Sequence, residues 1–317
     1  MASQKPDLQG LIEKLHRRYA SLTEGHLASY IPELARVNPN LFSIAVTTST
    51  GETFSTGDVS TCFTMQSVSK PFVYGLSAEE LGRAELHKRV GVEPSGEAFN
   101  SIVELEKVTH RPYNPMINSG AIAVTSLLTP KDPKVRFGKI LKLFADLSGR
   151  TLEIDEAVFQ SERSTAHRNR SIAHLMRHFD VIDGDIDVSL DIYFQQCSIL
   201  ADVTDLSRMA ATLANGGVQP VSKTRVLAGD TIRDMLSLMF TCGMYDSAGE
   251  WAFDVGLPAK SGVSGGLIAV VPGKMGIAVY SPLIDSRGHS YRGVAVIKDL
   301  SNELGLGIFS ETKIGAN

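Results

Sequence analysis

Strand-like segments lie near both ends of this chain, and the long stretch between them has helical periodicity. Such segments alternate apolar and polar residues or are rich in β-branched side chains, and turn residues such as Thr50-Gly51 and Pro272-Gly273 separate them. They are residues 41–46, 52–55, 63–65, 267–271, 275–280 and 291–297. Strands at both termini predict one mostly antiparallel sheet that the two ends of the chain build together.

Between the strand groups, apolar residues recur at the three- and four-residue spacing of amphipathic helices. The predicted helices are 7–19, 70–81, 119–128, 135–147, 171–179, 190–200, 206–213 and 231–240, with a last one beginning near Ser301. The predicted fold class is therefore α+β, an α/β sandwich with an inserted all-α domain. We expect residues 1–70 and 250–317 to form the sheet domain, residues 71–249 the helical domain, and the cleft between them the active site.

The composition excludes some classes of function. The chain has 317 residues, of which 43% are hydrophobic and 21% charged, as in ordinary globular proteins. Its net charge is −4, and basic residues do not form a stripe interleaved with aromatics. Nucleic acid and anionic membranes are thus not expected as partners, and a small solute fits better.

The N-terminal segment and the cysteines predict a cytoplasmic protein. Residues 7–19 carry charges of both signs, unlike a secretory leader, and no apolar run reaches membrane-spanning length. Cys62, Cys197 and Cys242 are odd in number and widely spaced, so we interpret them as reduced thiols of the core.

Ser67-Val68-Ser69-Lys70 has the S-x-x-K spacing that can pair a nucleophile with its base. Pro71 follows at once and is tolerated only in a first helical turn, so Ser67 should lie at or just before a helix start. A serine hydroxyl becomes a good nucleophile when a neighbour removes its proton, which a lysine can do only as the neutral amine. Burial would lower the lysine pKa, and a helix start offers free N–H groups to an oxyanion.

A second motif, Lys260-Ser261-Gly262, strengthens the first. Together they are the serine-acylation signature of penicillin-recognising enzymes, whereas an S-x-x-K alone occurs roughly once by accident in a chain of this length. Taken alone, Ser67 would be explained as a helix cap and Lys70 as a solvated side chain.

Seven stretches of the chain resemble one known family, the serine-dependent glutaminases, which share the β-lactamase and transpeptidase fold. They are Thr64-Met65-Gln66-Ser67-Val68-Ser69-Lys70-Pro71, Tyr113-Asn114-Pro115-Met116-Ile117-Asn118-Ser119-Gly120-Ala121-Ile122, Ser161-Glu162-Arg163, Arg168-Asn169, Ala211-Thr212-Leu213-Ala214-Asn215-Gly216-Gly217, Cys242-Gly243-Met244-Tyr245-Asp246 and Leu257-Pro258-Ala259-Lys260-Ser261-Gly262-Val263. The resemblance runs from about Tyr30 to the C-terminus, with the motifs in order.

The resemblance implies hydrolysis of L-glutamine to L-glutamate and ammonia, without metal or organic cofactor, in an assembly that is usually a homotetramer. It implies that Ser67 is the nucleophile, Lys70 its activating base and Tyr245 the residue that passes the proton to the leaving amine. The backbone N–H groups of Ser67 and Val263 would form the oxyanion hole. The implied substrate-binding residues are Tyr30, Gln66, Ser67, Asn118, Glu162, Asn169, Tyr193, Tyr245 and Val263.

The chemistry of glutamine fits this set of residues. The substrate presents an ammonium, a carboxylate and a side-chain amide, and Glu162 supplies one anion while asparagines and tyrosines supply uncharged hydrogen-bonding groups. Each residue also has a structural explanation. Asn118 and Asn169 precede apolar runs as helix caps do, Glu162 is typical of a solvated loop, and the tyrosines are typical of half-buried core aromatics.

Three other interpretations stay open at this stage. His174 and His178 have a spacing that can hold zinc, but no third ligand accompanies them, so no metal site is predicted. The serine and lysine motifs also suit a β-lactamase or peptidoglycan peptidase, against which the missing export signal argues. A non-catalytic glutamine sensor could keep the same pocket.

Overall fold

A computed structural model describes residues 6–29, 31–96, 105 and 110–310. The helices are α1 (Leu8–Tyr19), α2 (Lys70–Leu81), α3 (Arg83–Arg89), α4 (Asn118–Leu127), α5 (Pro133–Ser148), α6 (Glu156–Thr165), α7 (His167–His178), α8 (Ile186–Cys197), α9 (Val203–Ala214), α10 (Gly229–Cys242), α11 (Ala248–Asp254) and α12 (Tyr291–Leu304). The strands are β1 (Ser43–Thr48), β2 (Thr53–Gly57), β3 (Phe63–Thr64), β4 (Leu200–Ala201), β5 (Ala259–Ser261), β6 (Gly266–Val271) and β7 (Met275–Tyr280). Short 3-10 turns cover Leu34–Arg36, Gln66–Ser69 and Tyr245–Ser247.

One sheet contains strands from both ends of the chain. Its order is β2-β1-β7-β6-β5, and all neighbouring strands are antiparallel. The N-terminal β1 pairs with the C-terminal β7, from Ser43 opposite Tyr280 to Thr48 opposite Met275. The predicted fold class, a mixed α/β architecture with an antiparallel sheet, is confirmed.

Helices cover both faces of this sheet because its strands are apolar on both sides. Ile44 and Ile277 point into a core that includes residues of α1 and α12, whereas their neighbours Ala45 and Ala278 belong to the core of the helical side. Helix α9 packs across β1, β6 and β7 on that second face. Gly276 permits its close approach, since a Cβ there would lie 2.2 Å from the backbone nitrogen of Ala211.

Helix α2, which follows the predicted nucleophile, lies at the centre of the helical region. It packs against α4, α5 and α10, and Phe72 meets Phe144 of α5 edge to face at a centroid distance of 5.7 Å. Pro71 lies in the first turn of α2, where its missing N–H costs no hydrogen bond. The active-site helix is therefore held on several sides.

Two predicted elements near the C-terminus are wrong. Residues 291–297 form the start of α12, not a strand, and Ser301 lies near the end of that helix rather than at the start of another. The β-branched residues suggested a strand, but Val296, Ile297 and Leu300 form one apolar helix stripe over the sheet. The Ser290 side chain accepts a hydrogen bond from Gly293 N–H and begins the helix.

One cysteine also departs from expectation. Cys62 is exposed, directly before β3, whereas Cys197 and Cys242 are buried free thiols as predicted.

Within the described ranges, no helix combines the length and apolarity that crossing a membrane requires.

The division into two domains near residues 71 and 249 stays a prediction. Helix α9 lies inside the second range, yet it packs on the sheet.

Candidate active site

Ser67 lies in a tight turn that leads into α2. The Met65 N–H donates to the Ile199 carbonyl, and the Lys70 N–H donates to the Ser67 carbonyl to close the 3-10 turn. Gln66, just before Ser67, has a φ of +48°, a left-handed conformation that is rare for a residue with a side chain. The Ser67 side chain is buried just before the helix start that Pro71 predicted.

Lys70 is buried one turn further along and points its amine at oxygen acceptors. Its Nζ donates to Asn118 Oδ1 at 2.7 Å and to the Met116 carbonyl at 3.2 Å. Burial lowers the pKa of Lys70 to about 8, and the nearby Glu162 carboxylate opposes that shift. A substantial neutral fraction near neutral pH is what a lysine base needs.

Three predicted substrate-binding residues meet around this amine because α4 packs against α7 and α8. Asn118 Nδ2 donates to Asn169 Oδ1 at 3.0 Å, and the Tyr193 hydroxyl donates to Asn118 Oδ1 at 3.5 Å. Asn118 begins α4 without a side-chain capping bond, and Asn169 lies inside the first turn of α7. The capping explanation therefore does not hold for Asn118.

Glu162 lies on α6 and is buried, not a solvated loop residue. Burial raises its pKa to about 8, whereas a hydrogen bond from Gln66 and the charge of Lys70 act in the opposite direction. Within the described residues, its Oε2 has no hydrogen-bond partner. An unpartnered buried carboxylate oxygen is costly, so this one is available to a cationic ligand.

Tyr245 connects the two sequence motifs. Its hydroxyl accepts a hydrogen bond from Lys260 Nζ at 2.9 Å, and its side chain also hydrogen-bonds with Ser67. Lys70 Nζ lies 5.9 Å from the centroid of the same ring, and Lys260 Nζ lies 4.0 Å from it. Tyr245 has a φ of +53° in the turn after α10, so local structure alone does not explain its placement.

Burial shifts the pKa values of Tyr245 and Lys260 in opposite directions. It raises the pKa of Tyr245 and lowers the pKa of Lys260 well below its ordinary value, and the positive charge of Lys70 adds to the lowering. The phenol is thus protonated near pH 7, and Lys260 holds its proton less tightly than a solvated lysine does. A neutral amine beside a phenol can exchange a proton with it.

Gly262 brings the end of β5 against the nucleophile turn. A Cβ on Gly262 would lie 2.8 Å from the Met65 carbonyl oxygen, so only glycine allows this approach. Val263 follows it and is buried in a small apolar cluster with Ala28 and Val158. The residues predicted for the oxyanion hole, Ser67 and Val263, therefore belong to segments in contact.

A histidine that the sequence reasoning missed supports Tyr245. The His289 ring stacks on the Tyr245 ring at a centroid distance of 5.9 Å, and its Nδ1 lies 2.8 Å from Ser261 Oγ. Burial lowers the pKa of His289 to about 4, so the ring is neutral near pH 7. It lies in a loop far along the sequence, and no motif marked it.

Comparison with known proteins shows which family this chain resembles. The family model for glutaminases matches residues 25–309. A glutaminase of Trichormus variabilis is 53% identical over 304 residues, covering 96% of this chain and 91% of that protein. Glutaminase 2 of Clostridium perfringens is 44% identical over 304 residues, covering 95% and 99%. The chain belongs to the glutaminase family.

Solved glutaminase structures have the same fold. Mglu in its glutamate form superposes with a TM-score of 0.93 at 38% identity, covering 98% of this chain and 72% of that one. A Bacillus glutaminase superposes with a TM-score of 0.86 at 33% identity, covering 95% and 98%. The β-lactamase-like fold that the motifs implied is therefore confirmed for this glutaminase.

The structure brings most of the predicted site residues of this glutaminase together. Contacts within the described part involve Gln66, Ser67, Lys70, Asn118, Glu162, Asn169, Tyr193 and Tyr245. Val263 follows Gly262, which packs against the turn of Ser67. Tyr30 lies outside the described residues. In the described ranges, no three His, Cys, Asp or Glu side chains are grouped as metal ligands. Lys260 was recognised as a motif residue, but only the fold shows that its amine reaches Tyr245.

Proposed function

We propose that this chain hydrolyses L-glutamine to L-glutamate and ammonia through a γ-glutamyl ester on Ser67. One observation carries the proposal: a buried serine hydrogen-bonds with a phenol, two lysines with lowered pKa values face that phenol, and a buried carboxylate lies nearby. Membership of the family, whose shown activity is hydrolysis of the glutamine amide, supports it. The solved glutamate form of Mglu, 38% identical, also supports it.

In the proposed acylation, Ser67 Oγ attacks the side-chain carbonyl carbon of glutamine while its proton passes to the neutral Lys70 amine. The carbonyl oxygen becomes an oxyanion that the N–H groups of Ser67 and Val263 stabilise. The C–N bond then breaks, and Tyr245 protonates the leaving nitrogen, which departs as ammonia. The protonated Lys70 then returns its proton to the Tyr245 phenolate.

In the proposed deacylation, a water molecule attacks the ester carbonyl and loses its proton to the same base. The ester C–O bond breaks, Ser67 regains its proton, and glutamate leaves. The sum is one amide bond and one water consumed, with one carboxylic acid and one ammonia formed. Either Lys70 or Tyr245 can be the first proton acceptor. Tyr245, which hydrogen-bonds with Ser67, would have to pass its own proton to the Lys260 amine as it takes that of Ser67.

One charged side chain and several uncharged hydrogen-bonding side chains would together recognise the substrate. Glu162, with its unpartnered Oε2, suits the α-ammonium. The amides of Asn118 and Asn169 and the Tyr193 hydroxyl suit the carboxylate or the amide without adding charge. Tyr30 and Gln66 complete the proposed pocket.

A homotetramer and a cytoplasmic location, which the family resemblance implies, stay proposals. Light scattering would test the first and cell fractionation the second.

The test of the proposed function is Ser67→Ala, assayed for ammonia release from glutamine. We expect a loss of about 10⁴- to 10⁶-fold in kcat, as when serine nucleophiles are removed elsewhere. Ser77→Ala is the matched control, because Ser77 is a buried serine on α2 whose hydroxyl donates to the backbone carbonyl of Val124. Turnover near the parent level in Ser67→Ala would reject the acyl-enzyme mechanism, and glutamine binding without turnover in the parent would favour a sensor.

A further inference from the structure

Ser69 lies between the proposed nucleophile and its base, yet its side chain points away from both. It is fully buried, and its hydroxyl donates to the Gln66 carbonyl at 2.7 Å. None of the steps proposed above uses this residue. This hydrogen bond links the two ends of the turn that presents Ser67.

The turn needs such a link because its first residue is strained. The left-handed φ of Gln66, +48°, is unfavourable for a residue with a side chain, and such a conformation persists only where the surroundings hold it. Gly262 packs against this turn on the side of β5, and the Ser69 hydroxyl holds the Gln66 carbonyl from the side of α2. The conformation is thus held between two motifs.

A second layer of buried side chains orients the Ser69 hydroxyl. Gln196 Nε2 donates to Ser69 Oγ at 3.0 Å, and Thr125 Oγ1 lies 2.9 Å from Gln196 Oε1 as its donor. Since the single Ser69 hydrogen is used on Gln66, only an amide N–H of Gln196 can face Ser69 Oγ. The amide orientation is therefore determined, and Ser69, Gln196 and Thr125 form a chain that we name the Ser69 relay.

The conformation of Gln66 matters on both sides of the proposed site. Its carbonyl belongs to the peptide that carries the Ser67 N–H, one of the two proposed oxyanion donors. Its side chain hydrogen-bonds with Glu162, the proposed partner of the substrate ammonium. Because one backbone twist orients both groups, a loss of that twist would misdirect the nucleophile before it affected the more distant pocket.

We propose that Ser69 and Gln196 are positioning residues, which hold Gln66 in its left-handed conformation and thereby aim the Ser67 hydroxyl and N–H at the reacting amide. The inference rests on the proposed function of Ser67. Neither residue contacts substrate in this assignment, so both act through the geometry of the turn.

The test compares Ser69→Ala with Ser77→Ala. Both serines are fully buried on or beside α2, and each donates its hydroxyl to a backbone carbonyl, that of Gln66 or that of Val124. The two variants should lose similar thermal stability. Only Ser69→Ala should lose kcat for glutamine, by about 10- to 100-fold as expected for a misplaced nucleophile, with a smaller change in KM.

Gln196→Met extends the test without touching Ser69. It keeps the volume of the side chain and removes the amide, so we expect kcat to fall in the same direction as in Ser69→Ala. The double variant should be no worse than Ser69→Ala alone, because both changes break one relay. If either single variant proves too unstable to assay, the other decides the question.

The proposal is overturned if Ser69→Ala and Gln196→Met keep the kcat of Ser77→Ala, or if KM rises as much as kcat falls. Failure of the proposed function itself has a different signature. In that case Ser67→Ala would still release ammonia, whereas an inactive Ser67→Ala beside an active Ser69→Ala removes only the positioning role.

Discussion

Lys70 and Lys260 are both buried amines that face the ring of Tyr245, yet their surroundings differ. Lys70 donates to Asn118 and to the Met116 carbonyl, and the charge of Glu162 partly restores its basicity. Lys260 donates to the Tyr245 hydroxyl and to the Ser261 carbonyl, and the causes of its pKa shift include no carboxylate. The two equally buried amines therefore have different hydrogen-bond partners and different charges near them.

The difference teaches which amine can change charge during a reaction. With a pKa of about 8, Lys70 can take a proton and lose it again near neutral pH. Burial and the positive charge of Lys70 also lower the pKa of Lys260, but its amine is already hydrogen-bonded to the Tyr245 hydroxyl. We expect Lys70 to act as the base toward Ser67, and Lys260 to keep the Tyr245 phenol oriented and protonated.

The largest expected effect separates these roles directly. Lys70→Met should lower kcat for glutamine by about 10³- to 10⁴-fold, the upper range for loss of a general base, and Lys260→Met by about 10²-fold. Both changes put an apolar side chain in a buried place, so the fold should persist. Steady-state ammonia release measures both, with the exposed Lys142→Met as control.

The assignment of Lys70 as the base is contradicted if Lys260→Met lowers kcat for glutamine more than Lys70→Met does. Lys260 would then be the main base, acting through the Tyr245 hydroxyl that it already contacts. Lys70 would in that case only orient Asn118.

A smaller effect is expected in the pH dependence of kcat/KM for the unsubstituted protein. Below about pH 8, both Lys70 and Glu162 are in the form that disfavours the reaction, a protonated amine and a protonated acid. Raising the pH frees the base and charges the partner of the substrate ammonium. We therefore expect kcat/KM to rise by about tenfold per pH unit or more from pH 6 to 7.5 and to level off above 8, as it does below the pKa of an essential base.

Glu162→Gln should sharpen that result. Without the carboxylate, KM for glutamine should rise by about 10- to 100-fold, the loss expected for a charged hydrogen bond, while the pH dependence of kcat from Lys70 persists. Glu156→Gln, an exposed residue of the same helix, is the matched control. A KM unchanged in Glu162→Gln would remove Glu162 from substrate recognition.

The smallest expected effect is on stability. A lysine whose native pKa is below its unfolded value binds fewer protons when folded, so the free energy of unfolding rises with pH between those two values. For Lys70 this window opens near pH 8, and the lowered pKa of Lys260 gives a window of the same sign. Each full proton contributes a slope of about 1.4 kcal/mol per pH unit.

Urea unfolding of the two methionine variants between pH 6.5 and 9.5 measures these windows. Each variant should flatten the alkaline part of the curve relative to the parent, because it removes one lysine whose pKa folding lowers. A Lys70→Met curve as steep as that of the parent above pH 8 would mean that folding does not lower the pKa of Lys70.

The motifs and local patterns predicted much of this molecule because their causes are local. Pro71 indicated the start of α2, and the β-rich run 275–280 after the turn at Pro272-Gly273 indicated a strand. The failure at residues 291–297 has an equally physical reason. β-branched residues fit a strand or a buried helix face, and only packing on the sheet decides between them.

By itself, the sequence determined that Ser67 lies just before a helix start with Lys70 one turn further on, and that a second lysine lies near the other strand group. The burial of Glu162, the contact of Lys260 with Tyr245, and the Ser69 relay were decided only by the tertiary structure. Spacing along a chain sets which side chains share one helix face. The pKa of a group and its long-range partners depend on which other segments exclude water from it.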